Sequence, residues 1–528
     1  MVGIPKKRIP WVVVSTLVAM LMLLPFFFLL SSTFGKESSN QWSILDSPGL
    51  TEWISNSIGL ILGVGGLTCA LGVSLALLVT NYQFPGVRFF RWALLMPLAI
   101  PSYIAAYVFH GIFEYTGPLN QVSMTFSDGW YMNIMNPWGL VIVLSLVLYP
   151  YVFSTTRVAL QSRFASYYES ARSLGLSSTQ RFFKVLLPLL SPAIAGGVFL
   201  VMMEVLNDYG AMKYFGVPTF TTAIFTQWFS LGDKNGAIQL ALMLFAIVGV
   251  LAVLESRFHR KHRVTESHRS RTSTPRILKG WKSSLASTFC GFIFFIAFVA
   301  PVGYLLWLFS FAKRSRAVSE WFGLTTNSLI TGIAGALTVL FLVLITQFVR
   351  QLVRGRFTFW IGKSISMGYA IPGAIIAIGV SAVAISFDHT FFDGLTLQGS
   401  ILMLVFAYAV RFSGVAYQPL NAEAEKRSGR LFEAGRSLGK NSWALLKDLF
   451  IPLSRKGVLI AASLVAIDIL KELPLTLILR PFNFDTLATK AFEYADDELL
   501  YQAALPSLSV ILVGLIPVLL LNRLMRKP

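Results

Sequence analysis

Apolar residues come in blocks of about twenty, separated by short polar stretches. Twelve blocks can be counted: approximately 11–31, 53–80, 90–115, 138–157, 187–206, 236–255, 284–311, 325–349, 361–386, 398–418, 451–470 and 503–522. A helix of about twenty apolar residues crosses the roughly 30 Å hydrocarbon layer of a bilayer. The pattern therefore predicts an all-α polytopic membrane protein of about twelve transmembrane helices. The first block follows Lys6, Lys7 and Arg8, as a signal peptide would, but it is too long for one and no small-residue cleavage pattern follows it. It reads as an uncleaved first helix.

Composition agrees. Of 528 residues, 55% are hydrophobic and only 13% charged, about half the charged share of a soluble protein. A soluble enzyme, a disordered chain and a disulfide scaffold are thereby excluded. Cys69 and Cys290 both sit in apolar blocks and read as packed thiols. Lys and Arg total 44 against 25 Asp and Glu, a net charge of +19. On a soluble chain that excess would suggest nucleic acid. In a membrane protein it reports orientation, because positive loops stay in the cytoplasm. Arg88 and Arg91, the run from Arg157 to Lys184, Arg350 to Arg356, the cluster from Arg411 to Lys447, and Arg523 to Lys527 all fall on one side of a twelve-span chain. Both termini are then cytoplasmic. Lys313, Arg314 and Arg316 fall on the wrong side and are the one discordant loop.

The stretch 256–282 holds nine Lys and Arg, one Glu and three of the five histidines. With no aromatic stacking pattern interleaved with the charges, it reads as a solvated linker rather than a nucleic-acid site. His259, His262 and His268 lie in a basic run that repels cations, so a metal cluster is not expected there.

The linker joins two halves that repeat each other. Glu169 to Leu189 reads ESARSLGLSSTQRFFKVLLPL and Glu433 to Leu453 reads EAGRSLGKNSWALLKDLFIPL, 264 residues apart and identical at eight of 21 positions. Asn56-Ser57 pairs with Asn327-Ser328, Ile100-Pro101 with Ile371-Pro372, and Tyr149 and Phe153 with Tyr408 and Phe412. Six spans separate the copies, so the repeat is parallel, with its axis along the membrane normal. Each repeated segment is too polar for lipid and reads as short helix, break, helix. Gly175 and Gly439 suit the left-handed residue that ends the first piece. Ser177 or Ser178, and Asn441 or Ser442, can cap the second. Pro188 and Pro452 then open spans five and eleven. The result is a cytoplasmic helical elbow made twice. A simple connecting loop would have no need to repeat the same Glu, Gly and Pro.

The elbow pattern, Glu-x-Ala/Gly-x3-Gly-x12-Pro, resembles the "EAA" motif in permease subunits of binding-protein-dependent ABC importers. Ser170 and Gly435 stand where that motif usually has Ala. In that family the motif forms a coupling helix that docks on a separate ATPase. The resemblance assigns coupling to Glu169, Ala171, Gly175 and Pro188, and to Glu433, Gly435, Gly439 and Pro452. It implies two type-1 permease domains, 53–255 and 325–522. Around them lie a first helix and periplasmic loop (1–52), the basic linker (256–283), and a seventh helix and loop (284–324). It further implies two ATP-binding subunits that carry ATP and Mg, a periplasmic substrate-binding protein, and a place in the cell inner membrane. No cofactor is expected in this chain, nor catalysis. Asp208-Tyr-Gly…Tyr214-Phe-Gly-Val-Pro-Thr-Phe-Thr-Thr222 and Lys471-Glu-Leu-Pro…Arg480-Pro-Phe-Asn-Phe-Asp-Thr-Leu-Ala-Thr489 resemble the fused permeases of ferric-iron importers. Related permeases carry thiamine.

No engine is legible in the chain itself. Gly362-Lys363-Ser364 is a fragment of a phosphate loop, but Phe357 stands where its first glycine belongs. Ionisable residues inside spans are functional candidates. Glu204 with Asp208, and Asp468 with Glu472, are spaced i,i+4, so each pair shares one helix face. Oxygen donors suit Fe³⁺, with Tyr149, Tyr209 and Tyr408 as possible neighbours. The carboxylates either line the path or pair with Lys471, Lys213 or Arg480. Outer segments 207–235 and 471–502 are a candidate landing surface for the binding protein. A twelve-span secondary transporter shares the length and repeat but leaves the twin elbows unexplained.

Overall fold

The computed structural model describes residues 8–31, 43–126, 132–162, 171, 173–261, 275–312, 314–353, 355–391, 397–425 and 430–525. Regular structure among them is helical, apart from a two-residue parallel pairing of Tyr82-Gln83 with Arg276-Ile277. That pairing ties the chain leaving the linker to the end of the Leu50–Asn81 helix.

Among the described residues, nine helices are long and apolar enough to cross a membrane. Two more apolar stretches are bent pairs: Val87–Ala99 with Ser102–Thr125, at 96°, and Arg356–Ala370 with Gly373–Asp388, at 113°. A shorter apolar helix, Leu500–Ile516, corresponds to the twelfth block. Each predicted block thus has a helical counterpart, but blocks three and nine are not straight spans. The break falls at Ile100-Pro101 and Ile371-Pro372. A residue before proline is pushed out of the helical region. Ile100 takes φ −90°, ψ 113°, and Ile371 φ −98°, ψ 129°. Residues 256–261 of the predicted linker continue the Lys234–Lys261 helix, and 262–274 lie outside the described residues. Arg314 and Arg316 begin the long helix Arg314–Leu352 rather than sit in a loop, and Lys313 lies outside the described residues.

Contacts divide the chain into two compact units, neither of which is a contiguous half of the sequence. One comprises Met1–Leu45, Ile224–Phe245 and Ser315–Lys490. Within it the N-terminal helix Ile9–Ser31 packs on the Gly373–Phe391 helix so closely that a Cβ at Gly379 would lie 2.8 Å from the Pro25 carbonyl. The other comprises Asp46–Ala223, Ala246–Arg314 and Ala491–Pro528. Within it the last helix is tied by the buried Tyr107 hydroxyl, which bonds Ser507. The first helix of each sequence half is therefore housed with the core of the other half.

Candidate functional site

The second elbow forms as the repeat predicts, and the first has the same turn from 173 onward. In the second, the Arg430–Ser437 helix ends at Gly439, whose φ of 79° lies in the left-handed region open to glycine. The Lys440 amide donates to the Gly435 carbonyl at 3.1 Å and the Gly439 amide to Arg436 at 2.8 Å, which closes a Schellman turn. Asn441 caps the next piece, its Oδ1 accepting from the Ala444 amide at 2.8 Å. In the first elbow Gly175 has φ 78° and the Leu176 amide reaches the Ala171 carbonyl at 3.2 Å. Ser177 and Gln180 cap reciprocally: the Gln180 amide donates to Ser177 Oγ at 3.3 Å and the Ser177 amide to Gln180 Oε1 at 3.1 Å. Glu169 and Arg172 lie outside the described residues.

The prolines act differently from the expectation. Pro188 and Pro452 follow π turns, Phe182–Leu186 and Leu445–Phe450, inside continuous helices. A proline ring collides with the carbonyl four residues back, and a widened turn relieves that collision. The elbow's second piece and the following span are thus one helix in each copy.

Glu433 is exposed, as are Leu174 and Leu438, both at 81%. These leucines occupy matched positions beside the two left-handed glycines. The sequence did carry a signal for them, an identical apolar residue within a polar segment. Gly435 lies close to the following piece: a Cβ there would meet the end of the Leu445 side chain, Cδ2, at 2.7 Å. Ala171 is buried.

On the outer segments the repeated residues build matched anchors. Asn56 Nδ2 donates to the Pro218 carbonyl at 2.9 Å and Asn327 Nδ2 to the Asp485 carbonyl at 3.0 Å. Ser57 Oγ accepts from the Phe220 amide at 3.3 Å and Ser328 Oγ from the Leu487 amide at 2.8 Å. The Thr219 amide bonds Thr222 Oγ1 at 2.7 Å, and the Thr486 amide bonds Thr489 Oγ1 at 2.9 Å. The segments are not plain loops: they carry the short helices Gly210–Tyr214, Phe220–Phe225, Pro474–Leu479 and Leu487–Asp496.

The paired carboxylates do not share a helix face. One helix ends at Asn207 and the other at Leu470, so Asp208 and Glu472 turn away to cap the short helices Gly210–Tyr214 and Pro474–Leu479. Asp208 Oδ1 accepts from the Ala211 amide at 3.0 Å. Burial pushes this carboxyl up to about 6, against the lowering effect of its bonds to Ser102 and the backbone. Glu472 accepts from the Leu475 and Thr476 amides at 3.0 and 2.9 Å and from Thr476 Oγ1 at 2.7 Å. Tyr408 joins that network through Thr476 at 2.8 Å. Tyr149 is fully buried and makes no hydrogen bond through its hydroxyl. Asp468 pairs with Lys471 at 2.9 Å, the ion-pair alternative to a place in the path. Glu204 accepts from Tyr151 at 3.3 Å. Among the described residues, no group of three His, Cys, Asp or Glu could hold a metal ion. His110 Nδ1, which no sequence pattern singles out, meets Tyr214 Oη of the outer segment at 2.9 Å.

Residues 69–264 match the family described as binding-protein-dependent transport system inner membrane component. The chain is 26% identical to the Fe(3+)-transport system permease protein FbpB 2 of Haemophilus influenzae, over 98% of this chain and 99% of that one. It is 25% identical to the sulfate transport system permease protein CysT of Salmonella typhimurium, over 37% of this chain and 70% of the relative. With CysW of Escherichia coli the identity is 24%, over 46% of this chain and 86% of the relative. Together with the apolar helices, these matches fit a multi-pass inner-membrane permease of an ABC importer. Such a system implies a periplasmic binding protein and an ATPase as partners. Within the class the chain resembles fused ferric-iron permeases along nearly its whole length.

Proposed function

We propose that the chain forms the translocation path of a ferric-iron importer, with both termini cytoplasmic and two separate ATP-binding subunits engaging its two elbows. ATP and Mg belong to those subunits, and this chain is not itself an enzyme. The observation that carries the coupling role is the duplicated elbow. Gly175 and Gly439 turn the chain alike, and each presents an 81%-exposed leucine beside the turn. An apolar side chain held out in a polar surface is the kind of anchor that a protein partner's pocket accepts. Ala171 and Gly435 keep the elbow close to the helix behind it. Pro188 and Pro452 pass its motion into spans five and eleven, and Glu169 and Glu433 open each motif. The permease domains 53–255 and 325–522, joined by the 256–283 linker, are the units this mechanism needs.

Iron rests on the full-length likeness to an Fe(3+) permease. The carboxylates carry less of that argument than their spacing suggested, because Asp208 and Glu472 are consumed as caps and Asp468 by Lys471. Glu204 is the path candidate that remains. The sulfate relatives support a second reading, an oxyanion cargo. On the periplasmic side, the Pro481–Asp485 turn exposes Phe482 completely and suits a landing surface for the binding protein. The test is reconstitution in vesicles with the ATPase and the binding protein. Iron(III) uptake that depends on ATP, without uptake of sulfate or thiamine, is expected. Uptake of sulfate or thiamine in place of iron would overturn the cargo, and failure to bind any ATPase subunit would overturn the class.

A further inference from the structure

The N-terminal helix reaches the second elbow. The Trp11 ring meets Phe348 and Trp443 edge-on, each with centroids 5.0 Å apart. Phe348 in turn contacts Phe450 at 5.5 Å and Phe432 at 6.5 Å. These phenylalanines, with Leu352 and Leu445, form a buried cluster under the elbow. The Leu352 carbonyl, at the end of the Arg314–Leu352 helix, accepts two bonds. Arg436 Nη2 of the elbow helix donates at 2.7 Å and Arg8 Nη1 at 3.3 Å. Two guanidinium groups, one from the elbow and one from the chain's start, thus converge on a helix C-terminus, where carbonyls lack partners and cations are favoured.

The first copy has the same turn, but the residues that build this packing are not repeated there. At the 264-residue offset, Trp443 corresponds to Thr179 and Leu445 to Arg181. Trp281, which opens the first helix of the second half as Trp11 opens that of the first, is 71% exposed.

We propose that Trp11 and Arg8 are positioning residues that strut the second elbow onto the end of the Arg314–Leu352 helix. The inference rests on the proposed coupling role of the elbows. Force enters a span only if the elbow does not yield against its support, and the aromatic contacts and the shared carbonyl remove that compliance.

The full complex in vesicles tests this. In Trp11→Ala, amide exchange across 430–441 should rise about ten-fold, from two lost aromatic contacts, while the same variant moves less substrate per ATP hydrolysed. Trp11→Phe should restore both. Trp443→Ala, at a 69%-exposed position, should reproduce the Trp11→Ala phenotype, and the double variant should add nothing further. Wild-type exchange and wild-type transport per ATP in Trp11→Ala, or additive losses in the double variant, would overturn the strut. If Trp11→Ala fails to insert, Trp443→Ala alone decides by the same two readouts. Gly439→Pro separates the two levels. Transport that survives it removes the coupling role itself, whereas its loss beside a normal Trp443→Ala removes only the strut.

Discussion

The two elbows share a turn and differ in the residues that follow it. Both turn through a left-handed glycine, both cap the next helix, and both feed a π turn before a proline. Under the second lie Phe348, Phe432 and Phe450, with Trp11 against its side. The first offers Thr179 and Arg181 where the second has Trp443 and Leu445. The repeat thus preserves the residues that shape the turn and varies those that hold it. Local backbone rules are satisfied by a few residues close in sequence, whereas support depends on distant partners and can diverge between copies.

The largest effect should come from breaking the shared part. Proline cannot reach positive φ, so Gly175→Pro and Gly439→Pro should each abolish transport while the protein still inserts. Measured substrate uptake beside membrane expression checks this. Equal loss from both would show two required inputs, and a milder loss at Gly175 would make the second elbow the dominant one.

The outer carboxylates form a second pair. Glu472→Ala leaves two amides and a hydroxyl without their acceptor and should cost about 3 kcal/mol, read as a fall in the melting temperature of the purified permease. Asp208→Asn keeps an acceptor for the Ala211 amide and should be tolerated. Because burial raises the Asp208 carboxyl from 3.8 to about 6, the folded state holds its proton to higher pH than the unfolded chain. Stability should therefore fall as pH rises from about 4 to 6, and Asp208→Asn should flatten that slope.

Capping comes next in size. Asn441→Ala and Ser177→Ala should each lose about 1 kcal/mol locally, visible as faster amide exchange in the following turn. The second elbow, held by its aromatic cluster, should show the smaller change.

The caps and the left-handed glycines were legible because each is set by residues within four or five positions. The apolar blocks were legible because hydropathy needs no partner. The breaks at Pro101 and Pro372 show in the sequence only as a repeated Ile-Pro inside apolar blocks, where hydropathy alone predicts an unbroken span. The i,i+4 rule failed at Asp208 and Glu472 because it assumes that a helix continues, and both helices end just before them. The Trp11 contacts could not be read at all. They join the chain's start to a helix end and an elbow far along the sequence, and a tryptophan at the head of an apolar block looks like an ordinary interfacial residue.

The smallest effects separate Glu204 from Asp468. Asp468 and Lys471 are 17% and 31% exposed, and a partly exposed pair three residues apart contributes about 0.2–1 kcal/mol. Asp468→Asn should leave uptake within about two-fold of wild type on that scale. Glu204 accepts from Tyr151 at 3.3 Å, inside the helix that follows the first elbow. An ionisable side chain within a span is a functional candidate. Glu204→Gln should therefore lower iron uptake more than Asp468→Asn does, with ATPase stimulation unchanged in both. Equal, negligible losses would take both carboxylates out of the path. A deeper loss at Asp468 would mean that Lys471 releases it during transport, and the two halves would then share the path as they share the elbow.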